Sequence, residues 1–590
     1  MSRISSKEWK LIGLIIIFFI GLSLFFWFWQ DAHRPVQSIY LGTQYVNWMD
    51  TPVYYSWINQ AKNGAWSFYD LFTSEPHPPF FFDIFWLTLG KLAKIFSLSV
   101  IVIYQLAKIA LIPFLIIVLY YLVAYFFSSV KTRMLAILFV IFASGLGGLL
   151  IIAANLSPVF LGWLPTMDTW AADGFNFFIL FHSPHIMLAL GLMLLIFLWT
   201  LIALEKKQWR YSIYAGLAAL ILFQFHPYDI VTTILVMAGF VLLLMVKNEA
   251  PRSLLRGIKR NSPKPSTLPS PPVGGFGGFS ASPPSQQPVE YSATENKRID
   301  WFNLRHFFLV LLISSPALIY HFWTYQAFWL KQIISAQNDC LTPAIGNIVL
   351  SYGAPLILGL IGLVYIFKNK TSRDREVFLV VWLIVQGALI YFPTNMQRRF
   401  ILGLQVVINI LAIFGLIYLK NIFKIKKLLS PNQMAILIVG FLMIFCCSNY
   451  FILAINFFPE KFSFNPRPVY YLPVERLEAM QWLKNNTPSD SVILSSYPTS
   501  NSIPAFSLRR VYLGHWDFTA DAEQKLVLLN YFFKKNNPHD GRQDFLVKNN
   551  INYIFYSQSD KNLGPFDPSA QPYFKQVYRN SGVAIYQVNK

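Results

Sequence analysis

Charged residues are scarce in this chain: Asp, Glu, Lys and Arg make up 13% of its 590 positions, about half the share of an ordinary soluble protein. Acid is scarcer than base, with 28 Asp and Glu against 48 Lys and Arg. Cysteine is nearly absent. Of the three, Cys446 and Cys447 are adjacent inside a hydrophobic run and Cys340 stands alone, which excludes a disulfide framework. What fills the chain is apolar: 55% hydrophobic and 17% aromatic, with a mean hydropathy of +0.45. Such a length exceeds one ordinary core. These features together describe an integral membrane protein with a polar appendage. The net charge of +20 does not point to nucleic acid, because Lys and Arg gather in short loops between hydrophobic spans, as cytoplasmic retention of positive charge requires.

A bilayer core takes about 20 apolar residues per helix. Candidate spans fall at 11–29, 100–127, 134–155, 184–204, 211–225, 229–246, 305–323, 348–367, 377–392, 400–419 and 434–457. Lys7 and Lys10 precede the first span and no small-residue cleavage site follows Trp29, the pattern of an uncleaved signal anchor. With the N-terminus inside, the inner loops are Lys131–Arg133, Glu205–Arg210, Lys247–Arg305, Lys368–Arg375 and Lys420–Lys427, each of them basic. The outer segments are then 30–99, 156–183, 226–228, 324–347, 393–399 and everything after about 458. Counting 79–97 as a span would invert every later loop. Asp83, Lys91 and Lys94 suit instead a juxtamembrane helix lying in the interface.

The fold class expected is a multi-spanning α-helical membrane protein of about 11 transmembrane helices with a C-terminal extracytoplasmic α/β domain. Residues 1–457 form the membrane domain, 30–99 its first external loop, and 458–590 the α/β domain. Residues 248–304 are rich in Pro, Ser and Gly and read as a disordered cytoplasmic linker. In the C-terminal part, helices are expected near 473–485, 520–534 and 541–549. Strands are expected at 491–495, 510–513, 551–556 and 582–588, in a mostly parallel sheet.

The first external loop carries the most telling residues: Asn47-Trp48-Met49-Asp50-Thr51-Pro52-Val53-Tyr54-Tyr55-Ser56-Trp57, then Gly64-Ala65-Trp66, then Glu75-Pro76-His77-Pro78-Pro79. Asp50 can be a helix N-cap, since Asp-x-Pro suits a helix start, and it can equally be a general base. The aromatics suit an interfacial belt or stacking on sugar rings. Prolines stiffen the backbone around Glu75 and His77; these two side chains are either substrate contacts or part of a rigid lead into the next helix. They give no metal-ligand spacing.

Further outside clusters are Phe181-His182-Ser183-Pro184-His185, Gln224-Phe225-His226-Pro227-Tyr228-Asp229, and the pair Arg398-Arg399. Ionisable groups at membrane depth are costly and mark pathways or sites. His185, His226 and Asp229 are candidate cavity residues, with helix capping the plainer role for Asp229. Arginine on the outside runs against the loop-charge rule, and a bidentate guanidinium fork suits a lipid phosphate. Snorkelling to headgroups is the alternative. Gly514-His515-Trp516-Asp517 reads as a loop between strand and helix that could touch an acceptor.

The order Asp50, Tyr54, Gly64-x-Trp66, acidic-Pro-His-Pro-Pro resembles the first external loop of the polyprenol-phosphate-dependent GT-C glycosyltransferases, which include protein O-mannosyltransferases and aminoarabinose transferases. The resemblance runs from the first span to about residue 130. It implies that Asp50 is the catalytic base and that the sugar is carried on a polyprenyl phosphate; on that reading the sugar passes to an extracytoplasmic acceptor with inversion, and the candidate substrate contacts are Tyr54, Glu75, His77, His185, His226, Asp229, Arg398 and Arg399. The expected location is the plasma or inner membrane, with the lipid bilayer as partner and nucleic acid excluded. No cofactor or bound metal is implied; a divalent ion stays open, although Thr51 stands where many relatives carry a second acid. The alternatives are a transporter or flippase for a lipid-linked or polar substrate, and a non-catalytic membrane scaffold. Convergence of Asp50, His226 and Arg398 on one cavity separates a transferase from a scaffold.

Overall fold

The computed structural model describes residues 4–156, 166–249, 301–369, 374–422, 446–462, 469–534 and 541–589, together with Ser430, Gln433 and Gly440. The expected linker at 248–304 and the inner loop at 420–427 fall largely outside the described residues, as does the first part of the expected span at 434–457.

Among the described residues, six helices are long and apolar enough to cross a membrane: Ser6–Ala32, Val100–Phe126, Pro184–Lys206, Trp301–Ala327, Ile345–Lys368 and Gln397–Ile422. Val130–Phe142 and Gly147–Ala153, bent by 49° at their junction, make a seventh if they form one span. The protein is thus multi-pass. Trp209–Phe225 and Asp374–Leu389 coincide with two more expected spans but hold 17 and 16 residues, about 25 Å of helix against a hydrocarbon core of about 30 Å.

One ion pair fixes the N-terminal helix against its neighbours. Glu8 Oε1 lies 2.7 Å from Arg133 Nε, with the two side chains 0% and 2% exposed. The Tyr120 hydroxyl donates to the same carboxylate, and the Ser5 hydroxyl donates to Oε2 at 2.7 Å. Two charges removed from water hold together only while each satisfies the other.

The first external loop builds outward from this bundle. Helix Asp50–Lys62 packs on helix Ile84–Ile95. The approach is close: a Cβ on Gly90 would stand 2.3 Å from Ala61 Cβ and 2.6 Å from Ile58 O. The second helix, at 12 residues, is about 18 Å long and cannot span, in keeping with an interfacial helix. Asp83 caps it, accepting from the amides of Phe85 and Trp86 at 2.9 and 3.1 Å.

Strand β1, Ser38–Tyr40, pairs antiparallel with β2, Tyr471–Pro473, joining the first loop to the C-terminal segment. Five further strands follow: β3 Val492–Leu494, β4 Arg510–Val511, β5 Ile551–Ser557, β6 Phe574–Arg579 and β7 Val583–Val588. They form one sheet in the order β4-β3-β5-β7-β6. Helices Val474–Asn486, Ala522–Lys534 and Arg542–Lys548 stand close to where the sequence placed them. The sheet corrects one expectation. It is mixed rather than mostly parallel: β3 runs parallel to β4 and β5, whereas β7 runs antiparallel to β5 and β6. The reason is local, since β6 and β7 are joined through Asn580-Ser581-Gly582, and a turn this short returns the chain only antiparallel.

The buried pair near the N-terminus makes a clear prediction. Arg133→Ala leaves Glu8 buried without its counter-charge and should lower stability in detergent by about 3–5 kcal/mol. Glu8→Gln combined with Arg133→Met should recover most of that loss in thermal unfolding. A single variant as stable as wild type would contradict the assignment.

Candidate active site

A cavity of about 480 Å³ opens between the segment 46–86, helix ends near His185, Phe225 and Arg399, and the loop at 517–518. Of the residues singled out by sequence, Asp50, Tyr54, His185, His226, Arg398 and Arg399 all line it. Glu75, His77 and Asp229 do not.

Asp50 is placed by a frame of backbone and amide bonds. The Thr51 amide and hydroxyl both donate to Asn47 O, at 2.9 and 2.7 Å. Asn47 Nδ2 in turn reaches Ser183 Oγ at 3.3 Å, and Gln44 Nε2 donates to Phe181 O at 2.8 Å. Asp50 begins helix Asp50–Lys62 without capping it; the cap position belongs to Met49. Its carboxylate, 43% exposed, faces the cavity, with Oδ1 3.1 Å from His515 Nε2. The Asp517 amide donates to His515 Nδ1 at 3.2 Å, which places the proton of the neutral imidazole on Nε2, aimed at Asp50. Burial pushes the Asp50 carboxyl up, but the hydrogen bond and charge of His515, with Arg399 and His182, hold it below the usual carboxylate range. For His515 burial disfavours the cation, and the Asp50 bond and the charges of Asp50, Asp517 and Asp70 outweigh it, leaving the ring above its ordinary value.

Aromatic rings form the adjoining wall. Tyr54 stacks on Trp86 with centroids 4.6 Å apart and planes at 11°, and its hydroxyl lies 3.4 Å from His185 Nε2. Trp57 packs against Phe81 at 4.7 Å and Phe518 at 5.4 Å. Tyr55 is buried, donating to Leu41 O at 2.7 Å, and Trp66 is 69% exposed beneath the Lys91 ammonium. Neither of these lines the cavity.

Two guanidinium groups line the same cavity. Arg398 lies 3.5 Å from Asp173 and above the Trp170 ring at 5.0 Å. Arg399 lies above Tyr228 at 5.1 Å, and its buried Nε has no hydrogen-bond partner among the described residues. His226 Nδ1 stands 3.0 Å from Asp229 Oδ2, the carboxyl being 1% exposed at the start of helix Asp229–Glu249. Asp229 therefore orients His226 rather than reaching the cavity itself.

Glu75 and His77 serve a different place. Lys525 Nζ donates to Glu75 Oε1 at 2.5 Å, and the Thr73 hydroxyl donates to the other oxygen. His77 is buried between the carbonyls of Pro78 and Asp70, at 2.8 and 2.9 Å. Glu75 locks the loop to the C-terminal segment, while the His77 ring braces the loop internally. The reading of the sequence missed His515 as the partner of Asp50, and Asp173 and Tyr228 as partners of the arginines. The one available signal was the Gly514-His515-Trp516-Asp517 cluster.

No protein-family model matches the chain, and no curated protein matches it closely. Among solved structures, the oligosaccharyltransferase of Archaeoglobus fulgidus in its apo form aligns with 98% of this chain and 74% of its own, at 14% identity and a TM-score of 0.54. The same organism's AglB, in complex with an inhibitory peptide and a dolichol-phosphate, aligns over 99% and 75% at 14% identity and a TM-score of 0.50. ArnT from Cupriavidus metallidurans, bound to undecaprenyl phosphate, aligns over 99% and 98% at 11% identity and a TM-score of 0.46. The oligosaccharyltransferase is a GT-C glycosyltransferase, and this chain shares its fold.

The lock on the C-terminal segment has a pH signature. Burial raises the Glu75 carboxyl, but the Lys525 charge and hydrogen bond, with the Thr73 hydroxyl, bring it below its ordinary value. A carboxyl lowered by folding contributes stability above the unfolded value of about 4.3, and loses it as pH falls through the folded value. Glu75→Gln should cost about 1–3 kcal/mol at pH 7, and its melting temperature should converge on that of wild type in acid. Identical melting at pH 7 would contradict the lock.

Proposed function

We propose that this protein is a membrane glycosyltransferase of the GT-C type, moving a sugar from a polyprenyl-phosphate donor to an extracytoplasmic acceptor with inversion. The observation that carries the reading is that a half-exposed carboxylate, Asp50, and two guanidinium groups, Arg398 and Arg399, line one cavity. A sugar on a lipid phosphate already has a good leaving group. What the reaction needs is an activated hydroxyl on one side and charge stabilisation on the other. The acceptor oxygen forms its bond to the anomeric carbon as the bond to the phosphate oxygen breaks. The acceptor proton passes to Asp50, and the electron pair leaves on the phosphate, where the arginine forks receive it. The unpartnered Nε of Arg399 is a donor suited to that phosphate. Tyr54 and Trp57 offer ring faces to the sugar. The dolichol-phosphate held by the archaeal neighbour supports a lipid-phosphate donor here.

The reading includes a topology: eleven spans, an N-terminus in the cytoplasm, a cytoplasmic linker at 248–304, and residues 458–590 as an extracytoplasmic domain. Basic inner loops support it. A transporter would place ionisable groups near mid-span. Lys108, 3% exposed within helix Val100–Phe126, is the main such group, and the cavity residues lie at helix ends and in loops instead. A scaffold leaves the convergence of Asp50, His226 and Arg398 without a purpose. No cofactor or metal enters the proposed chemistry. Beside Asp50, Thr51 is buried and its hydroxyl is engaged by Asn47 O.

Turnover of a panel of polyprenyl-phosphate sugars by the purified protein tests the reading. Asp50→Asn should cut turnover by about 10²–10⁴-fold while leaving donor binding within a factor of two or three. Arg399→Ala should weaken donor binding by about 10-fold or more. Turnover of wild type in excess chelator should be unchanged. Full activity in a folded Asp50→Asn protein would end the proposal.

A further inference from the structure

The carboxylate facing the cavity comes from the first external loop, but the group that holds it lies 465 residues further along the chain. His515 is 4% exposed; the imidazole is the buried half of the pair and Asp50 the open half. The loop carrying His515 is seated on the segment Leu71–Thr73 by short bonds. The amides of Val511 and Gly514 donate to the carbonyls of Leu71 and Phe72 at 3.0 and 3.1 Å. The Thr519 hydroxyl, 2.7 Å from Phe72 O and 3.0 Å from His515 O, also accepts from the Gly514 amide at 3.0 Å. The fit leaves no room at Gly514, where a Cβ would meet Phe72 Cδ1 at 2.8 Å and Val511 Cγ2 at 2.9 Å. A second tether, Asn501 Nδ2 to Met49 O at 2.9 Å, fixes the residue just before Asp50.

We propose that His515 is the positioning residue of Asp50: its Nε2–H holds Oδ1, so that the carboxylate stays ionised with Oδ2 turned to the acceptor, and the site is complete only when the C-terminal loop is seated. The inference deepens the glycosyltransferase reading and rests on it. A neutral imidazole suits this task better than Lys or Arg. It donates one directed bond through Nε2, while the Asp517 amide occupies Nδ1 and fixes the tautomer. A second ring proton would point at that amide, two donors face to face, so the loop geometry favours the neutral ring even though the carboxylates of Asp50, Asp517 and Asp70 favour the cation. The other ionisable groups that interact with Asp50 are Arg399 from the turn Gln397–Ile401, His182 from helix Asn176–His182, His185 from helix Pro184–Lys206, Tyr104 from helix Val100–Phe126, Tyr497 from the C-terminal segment, and Tyr54 from its own helix. The Arg399 charge adds to the hold on the ionised form; among the described residues only His515 is within hydrogen-bond distance.

The test uses the full-length protein in detergent. Water-soluble carbodiimide modifies protonated carboxyls, and labelling of Asp50 across a pH series, read by peptide mass spectrometry, follows its ionisation without any need for turnover. In His515→Ala the labelling midpoint should move to higher pH. In His515→Gln, whose amide nitrogen reaches towards the position of Nε2, it should return most of the way. Turnover at neutral pH should fall about 10- to 100-fold in kcat for His515→Ala, with the donor KM within twofold, and recover in large part in His515→Gln. Should the alanine variant fold poorly, Thr519→Val, which loosens the seat without touching the cavity, should shift the labelling in the same direction. An unmoved midpoint in folded His515→Ala, or equal losses in both His515 variants, would overturn the proposal. A labelling shift in a protein that transfers no sugar would support the pairing and retire the proposed reaction instead.

Discussion

Three backbone positions, Leu71 to Thr73, hold the two ends of this chain together, and the cavity depends on them. Their carbonyls receive the amides of Val511 and Gly514 and the hydroxyl of Thr519, while Thr73 bridges Leu513. Each such bond is worth only about 1 kcal/mol net, yet leaving its buried partner unpaired costs more. The β1–β2 ladder and the Leu41 amide on Tyr470 O at 2.9 Å repeat the arrangement on the other side of the loop. The C-terminal segment completes the hydrogen bonding of residues 38–41 and 71–73, and that same contact brings His515 to Asp50.

The charges in the cavity follow from this geometry. Asp50 is held by a single imidazole hydrogen bond, whereas Arg398 is partly countered by Asp173 and Arg399 lies over an aromatic face. A charge in a low-dielectric site must be compensated, but full pairing would leave it nothing to offer a substrate. Each group here has a partial compensation: a single hydrogen bond, an ion pair at 3.5 Å, a ring. That is the pattern expected of groups that exchange a protein partner for a substrate partner.

Much of this was legible in the sequence wherever the information is local. Six of the expected spans coincide with long apolar helices among the described residues, a short helix stands at Ile84–Ile95 after Asp83, and the first C-terminal helix follows the 3.6-residue spacing of its apolar positions. Asp50, His226 and Arg398 stood out because charge near a membrane needs a reason. Contacts between distant segments were not legible. Nothing in Ser38-Ile39-Tyr40 announces a partner at Tyr471–Pro473, and nothing in Gly514-His515 names Asp50. β6 escaped notice because an edge strand such as Phe574-Lys575-Gln576-Val577-Tyr578-Arg579 carries few apolar residues. Glu75 and His77 differ from expectation for a related reason: their Pro-stiffened setting marks a constrained segment, in which Glu75 docks on Lys525 and His77 braces the loop against Asp70 rather than facing the cavity.

The two sides of the cavity differ in origin, and the difference bears on mechanism. The arginines and His185 stand at the ends of helices that belong to the membrane bundle, while His515 and Asp517 come from the segment built on the mixed sheet; Asp50 lies between them on a helix that touches both. On the proposed reading, a lipid-borne phosphate meets the bundle side and a polar acceptor meets the sheet side, so the base and the phosphate grip never compete for one partner.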